Sequence, residues 1–310
     1  MRYLFIVLML ALAQTGCKRR PISGASSSAS AASPDKSSPA FAPVVISNSE
    51  EETEIKNIIA KSKANLQTKK FAELEADAET YRTGKEYFPD GLSKIGCFYS
   101  GFSSEEMTDA ERTGNAKTIA EWIKQYPDSI TARIALAELW IDYAWHARGH
   151  EYADQVADEA FKLFSQRIAN AHAVLKAAAG LKSKCPMYWY FMEDIALSEG
   201  WSNKDYEALF LDAIKNNPGF SGYYKSRVIY LLPRWYGKEG DWEKFAESSA
   251  DKIGGDDGDV LYARLVWTVK DLQIYNYIYE ETKISWPRAK RGFEVLQKRF
   301  PQSLSVTSEY

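Results

Sequence analysis

Apolar residues recur at spacings of three and four along nearly all of residues 50–300, a period that leaves room for little but helices. Ile130, Ile134, Ala137, Ile141, Ala144 and Trp145 fall on one face. Asp128 or Ser129, after Pro127, is placed to cap the start of that helix, and Gly149 to end it. From 151 to 180, Val156, Ala160, Leu163, Ile168, Ala171, Leu175 and Ala178 form a second stripe; one unbroken helix there would run about 45 Å. Further helices are predicted at 50–66, 68–83, 106–125, 187–199, 203–216, 220–231, 241–252, 258–281 and 286–299. No run of alternating apolar residues competes, and Val44-Val45-Ile46 stands alone. The predicted fold class is all-α.

Prolines punctuate the helical stretches, and apolar residues sit at fixed offsets before them. Ile119 and Trp122 precede Pro127 as Phe210 and Ala213 precede Pro218. Ala178, Leu181 and Pro186 fit the same spacing, as do Phe293, Leu296 and Pro301. A proline stops one helix and resets direction. The pattern predicts tetratricopeptide-like helical hairpins stacked into an α-solenoid-like array over residues 50–310. Phe300-Pro301-Gln302-Ser303 reads as a turn into another helix: either the last repeat is incomplete and leaves an apolar face for a partner, or the tail frays.

The first 49 residues differ in kind. Arg2 precedes an apolar run, Tyr3 to Ala13, and Gln14-Thr15-Gly16 leads to Cys17. A membrane-spanning helix needs about 20 residues, so this run is too short for one. The layout resembles a bacterial lipoprotein signal over residues 1–16, with a lipid on Cys17 after cleavage. Gln14 departs from that pattern, which prefers an aliphatic residue there. Plain secretion with cleavage after Ala11-Leu12-Ala13 and an uncleaved tail are the alternatives. Residues 17–49 hold the cysteine and a Ser/Ala/Pro-rich linker that buries too little to order itself. A flexible linker of this length spans roughly 30 Å. Lys18 in place of Asp after the cysteine fits the outer-membrane default. The expected location is the bacterial cell envelope, lipid-anchored at the outer membrane and facing the periplasm.

The formal charge of the whole chain is −3, and no basic stripe is visible, so nucleic acid is not an expected partner. Cys97 and Cys185 sit among apolar residues and are open to two readings, a long-loop disulfide or two buried free thiols.

Motifs for chemistry are sparse. His146 and His150 are four apart, a metal-ligand spacing, but Gly149 ends the helix between them. His172 is expected as a partly buried side chain. No Gly-x-Ser-x-Gly elbow or phosphate-cradling Gly-rich loop with Lys occurs. Gly254 to Asp259 lacks the ligand alternation of a calcium loop and reads as a solvated turn with Asp259 as a cap. Aromatic runs at Tyr188–Phe191 and Tyr275–Tyr279 point all round a helix; packing is the favoured reading, a peptide or glycan groove the other. No catalytic residue, metal or cofactor is assigned.

Several phrases carry a family resemblance: Phe88-Pro89-Asp90-Gly91, Tyr99-Ser100-Gly101, Trp145-His146-Ala147-Arg148-Gly149 and Leu232-Pro233-Arg234-Trp235-Tyr236-Gly237, followed by Phe245-Ala246. Together they resemble an uncharacterised bacterial family, the domain of unknown function numbered 4034, over most of 68–250. The resemblance implies a tetratricopeptide-like helical domain and no particular activity. Tyr236 departs from the glycine expected in that turn.

Trp145 on an apolar face reads as core, with Arg148 stacked on it or bonded to carbonyls at the helix end. The sharper reading places Trp145, Arg148, Arg234 and Trp235 together as a ligand or partner surface. The expectation for the whole is a lipid-anchored binding or scaffolding module with a protein or peptide partner. The alternative is an envelope enzyme acting on glycan or peptide.

Overall fold

The computed structural model describes residues 50–88, 91–149, 156–301 and 303. The signal segment, Cys17 and the linker lie outside these residues, as do Pro89, Asp90 and His150. The described chain is all-helical, with no strand among the described residues and one isolated bridge between Tyr87 and Ser93. The helices are α1 (Glu50–Gln67), α2 (Phe71–Gly84), α3 (Lys94–Tyr99), α4 (Asp109–Gln125), α5 (Ile130–Arg148), α6 (Asp158–Ala178), α7 (Pro186–Glu199), α8 (Asn203–Asn216), α9 (Ser221–Tyr230), α10 (Asp241–Ile253), α11 (Gly255–Asp271), α12 (Ile278–Glu281) and α13 (Trp286–Arg299).

Local chemistry sets most of these boundaries. Thr108 and Glu111 form a reciprocal capping box at the start of α4: the Thr108 backbone N–H donates to Glu111 Oε2 at 2.8 Å, and the Glu111 N–H donates to the Thr108 hydroxyl. Ser129 caps α5, its hydroxyl accepting from the Ala132 N–H at 2.9 Å. Gly149 ends α5 at φ 71°, a left-handed conformation that costs glycine nothing. Both expected caps of α5 are present.

Three of the four proline sites build the same turn. Tyr126, Asn217 and Phe300 end α4, α8 and α13, each with its N–H bonded to the carbonyl four residues back, on Trp122, Ala213 and Leu296. Their φ/ψ values, −124/74, −147/81 and −134/63, agree closely. The following proline forces this, because its ring excludes the residue before it from helical geometry. Each turn then closes by a bond from the third residue on: Ser129, Phe220 and Ser303 donate to the carbonyls of Tyr126, Asn217 and Phe300. Pro186 is different. It sits in the first turn of α7 and starts a helix, where its missing N–H leaves nothing unsatisfied.

Four other expectations are corrected. Of the stripe predicted from 151, residues 151–155 lie outside the described residues, 156 and 157 are not helical, and α6 has 21 residues from Asp158, or about 32 Å. Phe164, not Leu163, joins Ile168, Ala171, Leu175 and Ala178 on its buried side. Residues 258–281 are not one helix: Gln273 takes φ 51°, and the chain turns before the short α12. The segment after Gly254 is not a solvated turn. It is the first turn of α11, and Asp259 lies inside the helix. The short α3, with Cys97, Phe98 and Tyr99 buried, has no counterpart among the predicted helices.

Neighbours in sequence pack together, most extensively α5 with α6, α10 with α11 and α4 with α5. Longer-range contacts join α11 to α13, α9 to α11, α1 to α3 and α5 to α7. At the α11–α13 crossing, a side chain on Gly292 would collide with the Asp259 carbonyl and the Ala263 methyl, so glycine permits the close approach. Asp259 accepts from Arg288 Nε at 2.9 Å and from Arg291 Nε at 2.8 Å. Burial raises the pKa of its carboxyl, but these two guanidinium donors outweigh that and hold it below the ordinary range. Cys97 and Cys185 are buried and are not joined in a disulfide, and Cys185 Sγ lies 3.7 Å from the Tyr99 hydroxyl.

Candidate functional site

α7 packs against four helices, α5, α6, α8 and α9. Its sequence, PMYWYFMEDIALSE, places one acid pair inside an apolar run. Glu193 is 0 % exposed. Ser226 and Arg227 are its nearest polar neighbours, yet neither carboxyl oxygen meets hydrogen-bond geometry with any group. Burial raises its pKa well above the ordinary carboxylate range, against the opposing pull of Arg227. Burial therefore favours the protonated form of Glu193.

Asp194 turns toward α5. It keeps partial exposure, but burial around the carboxyl lifts its pKa to about 7, while the Trp145 indole opposes that rise. The Trp145 N–H points near it without completing a hydrogen bond. Asp194 can thus exchange a proton near neutral pH.

Arg227 on α9 closes the other side. It is 2 % exposed, and its Nη2 donates to Asn203 Oδ1 and Glu207 Oε2, both at 2.6 Å. Its guanidinium lies 4.9 Å and 5.1 Å from the Tyr206 and Tyr230 ring centroids. Those rings are themselves 4.1 Å apart. The guanidinium thus lies against a pair of contacting rings, a cation–aromatic cluster. Burial raises the phenol pKa of Tyr190, Tyr206 and Tyr223, so all three are neutral donors. The cluster is an acid-rich interior joined by aromatic packing.

The residues singled out from sequence fall into two settings. Trp145 and Arg148 are buried at the end of α5. The Trp145 ring packs edge-on against Phe164 at 4.9 Å, and Arg148 lies 5.6 Å over it. Arg148 Nη1 also donates to the Gly149 carbonyl at 3.3 Å. Both structural roles expected of Arg148 are present. Burial lowers its pKa.

Arg234 and Trp235 are half-buried in the turn after α9. That turn is locked to the end of α7, with the Tyr236 hydroxyl donating to the Leu197 carbonyl at 3.0 Å. Tyr236 also stacks on Tyr230 at 5.0 Å. The tyrosine that departs from the family phrase is thus an anchoring residue.

His146 is partly exposed, 4.0 Å from Asp109; His150 lies outside the described residues. His172 is half-buried, with Nδ1 3.0 Å from the Glu199 carboxylate and its ring 5.7 Å from Trp201. Among the described residues no group of three or more His, Cys, Asp or Glu side chains is arranged to hold a metal ion. No described helix is long and apolar enough to cross a membrane.

Sequence reasoning missed Glu193, Asp194 and Arg227. The available signal was the acid pair set between Met192 and Ile195 in a run of aromatics and aliphatics. Arg227 carried none, because its burial depends on how α8 and α9 meet. No family model, curated protein or solved structure matches this chain.

Proposed function

We propose that this chain is a lipid-anchored helical module of the bacterial cell envelope that binds or scaffolds a protein or peptide partner. In this reading its helices form a tetratricopeptide-like array, tethered by a lipid on Cys17 through the linker 18–49. The proposal includes the outer membrane, facing the periplasm, as its location and kinship with the domain-of-unknown-function family 4034.

The observation that carries the array reading is the turn repeated at 126–129, 217–220 and 300–303, with matching cap dihedrals and bonds. Recurrence of one supersecondary device supports stacked helical units, the architecture that offers extended recognition surfaces. The interior position of the ionisable cluster supports recognition over chemistry, since Glu193 and Arg227 are packed in the core.

The test has two parts. Cells grown with a labelled fatty acid should label the parent chain and not Cys17→Ser, and the label should co-fractionate with outer membrane. Crosslinking in intact envelopes should then recover one reproducible partner, lost in variants of the array surface. An unlabelled parent removes the anchor; an absent partner across independent preparations removes the binding role.

The envelope-enzyme reading rests on Asp194, whose carboxyl exchanges a proton near neutral pH. It requires hydrolysis of a glycan or peptide that Asp194→Asn abolishes while leaving the fold intact.

A further inference from the structure

Among the described residues, three of the five exposed aromatic side chains lie in one short segment, with Phe161 and Tyr236 elsewhere. Tyr277 is 67 % exposed, Tyr279 38 % and Trp286 41 %, although most of the chain's large rings are packed inside. The segment alternates to achieve this. Ile278 and Ile284 are buried, while Tyr277, Tyr279 and Trp286 between and beside them face outward. Tyr279 and Trp286 pack edge-on at 4.8 Å. The backbone is pinned: the Tyr277 N–H donates to Glu281 Oε1 at 2.7 Å, and the Ser285 N–H to the Tyr262 hydroxyl at 2.8 Å. The rim presents the Tyr279–Trp286 ring pair, with Tyr277 exposed two residues before Tyr279.

Its charge is balanced. Between Tyr277 and Lys290 the chain carries Glu280 and Glu281 with Lys283, Arg288 and Lys290, and Arg288 is already held by Asp251 and Asp259. Such a surface has no pull toward a strongly charged partner. Tyrosine and tryptophan, with no exposed aliphatic beside them in this segment, are the side chains that settle at the water–lipid boundary.

The same helix links the rim to the tether. α13 starts at Trp286 and ends at Arg299; Ser303 beyond it donates to Glu51 Oε2 at 2.9 Å. The chain therefore enters α1 beside one end of α13 and shows the rim at the other, about 20 Å away. The 32 residues between Cys17 and Glu50 are long enough for the rim to meet the bilayer that would hold the lipid.

We propose that Tyr277, Tyr279 and Trp286 form an interfacial foot that seats the domain on net-neutral phospholipid. This deepens the lipid-anchor reading and rests on it. The foot fixes the orientation of the anchored domain on the bilayer.

The test uses the full chain and the Cys17→Ser chain, each mixed with phosphatidylcholine–phosphatidylethanolamine vesicles carrying brominated acyl chains. Bromine quenches tryptophans at the lipid boundary, and the apolar run 3–13 contains none. Trp286 is the tryptophan placed to respond. Quenching is expected in the parent, unchanged at high salt, and at least halved in Trp286→Phe with an unaltered urea midpoint. Tyr277→Ser with Tyr279→Ser should likewise reduce it at least twofold. A parent that floats with vesicles but shows no quenching overturns the foot while leaving the lipid anchor standing. Equal vesicle binding by parent and Cys17→Ser chains overturns the anchor, and quenching in both would keep the foot. Quenching that persists undiminished in Trp286→Phe also overturns it.

Discussion

Replacing Asp194 by Asn should stabilise this protein at alkaline pH and leave it nearly unchanged in acid. The carboxyl has an ordinary pKa of 3.8 and is lifted to about 7 in the fold, chiefly by burial. Between those values the native state holds a proton that the unfolded chain releases. Stability supplied by that proton is complete below pH 3.8 and is lost as pH rises through about 7. A rise of this size corresponds to roughly 4 kcal/mol at most. Asp194 keeps partial solvent access, which reduces the measurable effect to about 2 kcal/mol. The amide of Asn has nearly the same shape and cannot ionise, so Asp194→Asn removes this pH-dependent leg. Glu193 is common to both proteins and drops out of the comparison. Urea unfolding followed by far-ultraviolet circular dichroism, from pH 3 to 8.5, reads the difference directly. The two stability curves should meet below pH 3.8 and diverge to about 2 kcal/mol by pH 8, or roughly 4–8 °C in melting temperature for a domain of this size. Parallel curves across the range would refute the buried-acid reasoning.

Three further outcomes are expected. Gly292→Ala forces a methyl into the Asp259 carbonyl and the Ala263 methyl at the α11–α13 crossing; thermal melts should show a loss of about 1–3 kcal/mol, whereas a neutral result would mean the helices can separate freely. Asp259→Asn removes the charge shared by Arg288 and Arg291 and should cost about 2 kcal/mol at pH 7. Because the Asp259 pKa is lowered, that contribution is present above pH 3.8 and disappears as pH falls below it, so parent and variant should converge in strong acid. Ser129→Ala removes the α5 cap and a bond to Glu75; a destabilisation of about 1 kcal/mol in chemical unfolding is expected, and faster amide exchange at Thr131 and Ala132 would localise it.

Much of the helical layout was legible because it is written in local chemistry. Ser129 and Gly149 mark α5 through a side-chain acceptor and a left-handed turn, both readable without tertiary contacts. Pro127, Pro218 and Pro301 act on the residue just before them, so their shared turn was visible as spacing. Pro186 matched that spacing and does the opposite, since a proline suits the first turn of a helix as well as the end of one. The break at Gln273 was hidden because the apolar pattern runs on through Leu272, Ile274 and Ile278, and only tertiary packing decides which of them continue the helix. Asp259 was misread for a related reason: an acidic, glycine-rich stretch has weak helical preference alone, and the basic side of α13 stabilises it there.

The candidate site was less legible than the fold. Arg148 could be placed from its distance to Trp145 and the helix end, three residues and one. Arg234 and Trp235 could be seen as neighbours, but not that Tyr236 bolts their turn to α7.

By itself, the sequence determined the all-helical class, most helix boundaries and the recurring proline turn, because capping and backbone sterics act within a few residues. Tertiary structure alone decided that Glu193 and Arg227 go inside and that Tyr277, Tyr279 and Trp286 stay outside. Burial of a side chain depends on which helix faces meet, and those meetings join residues tens of positions apart.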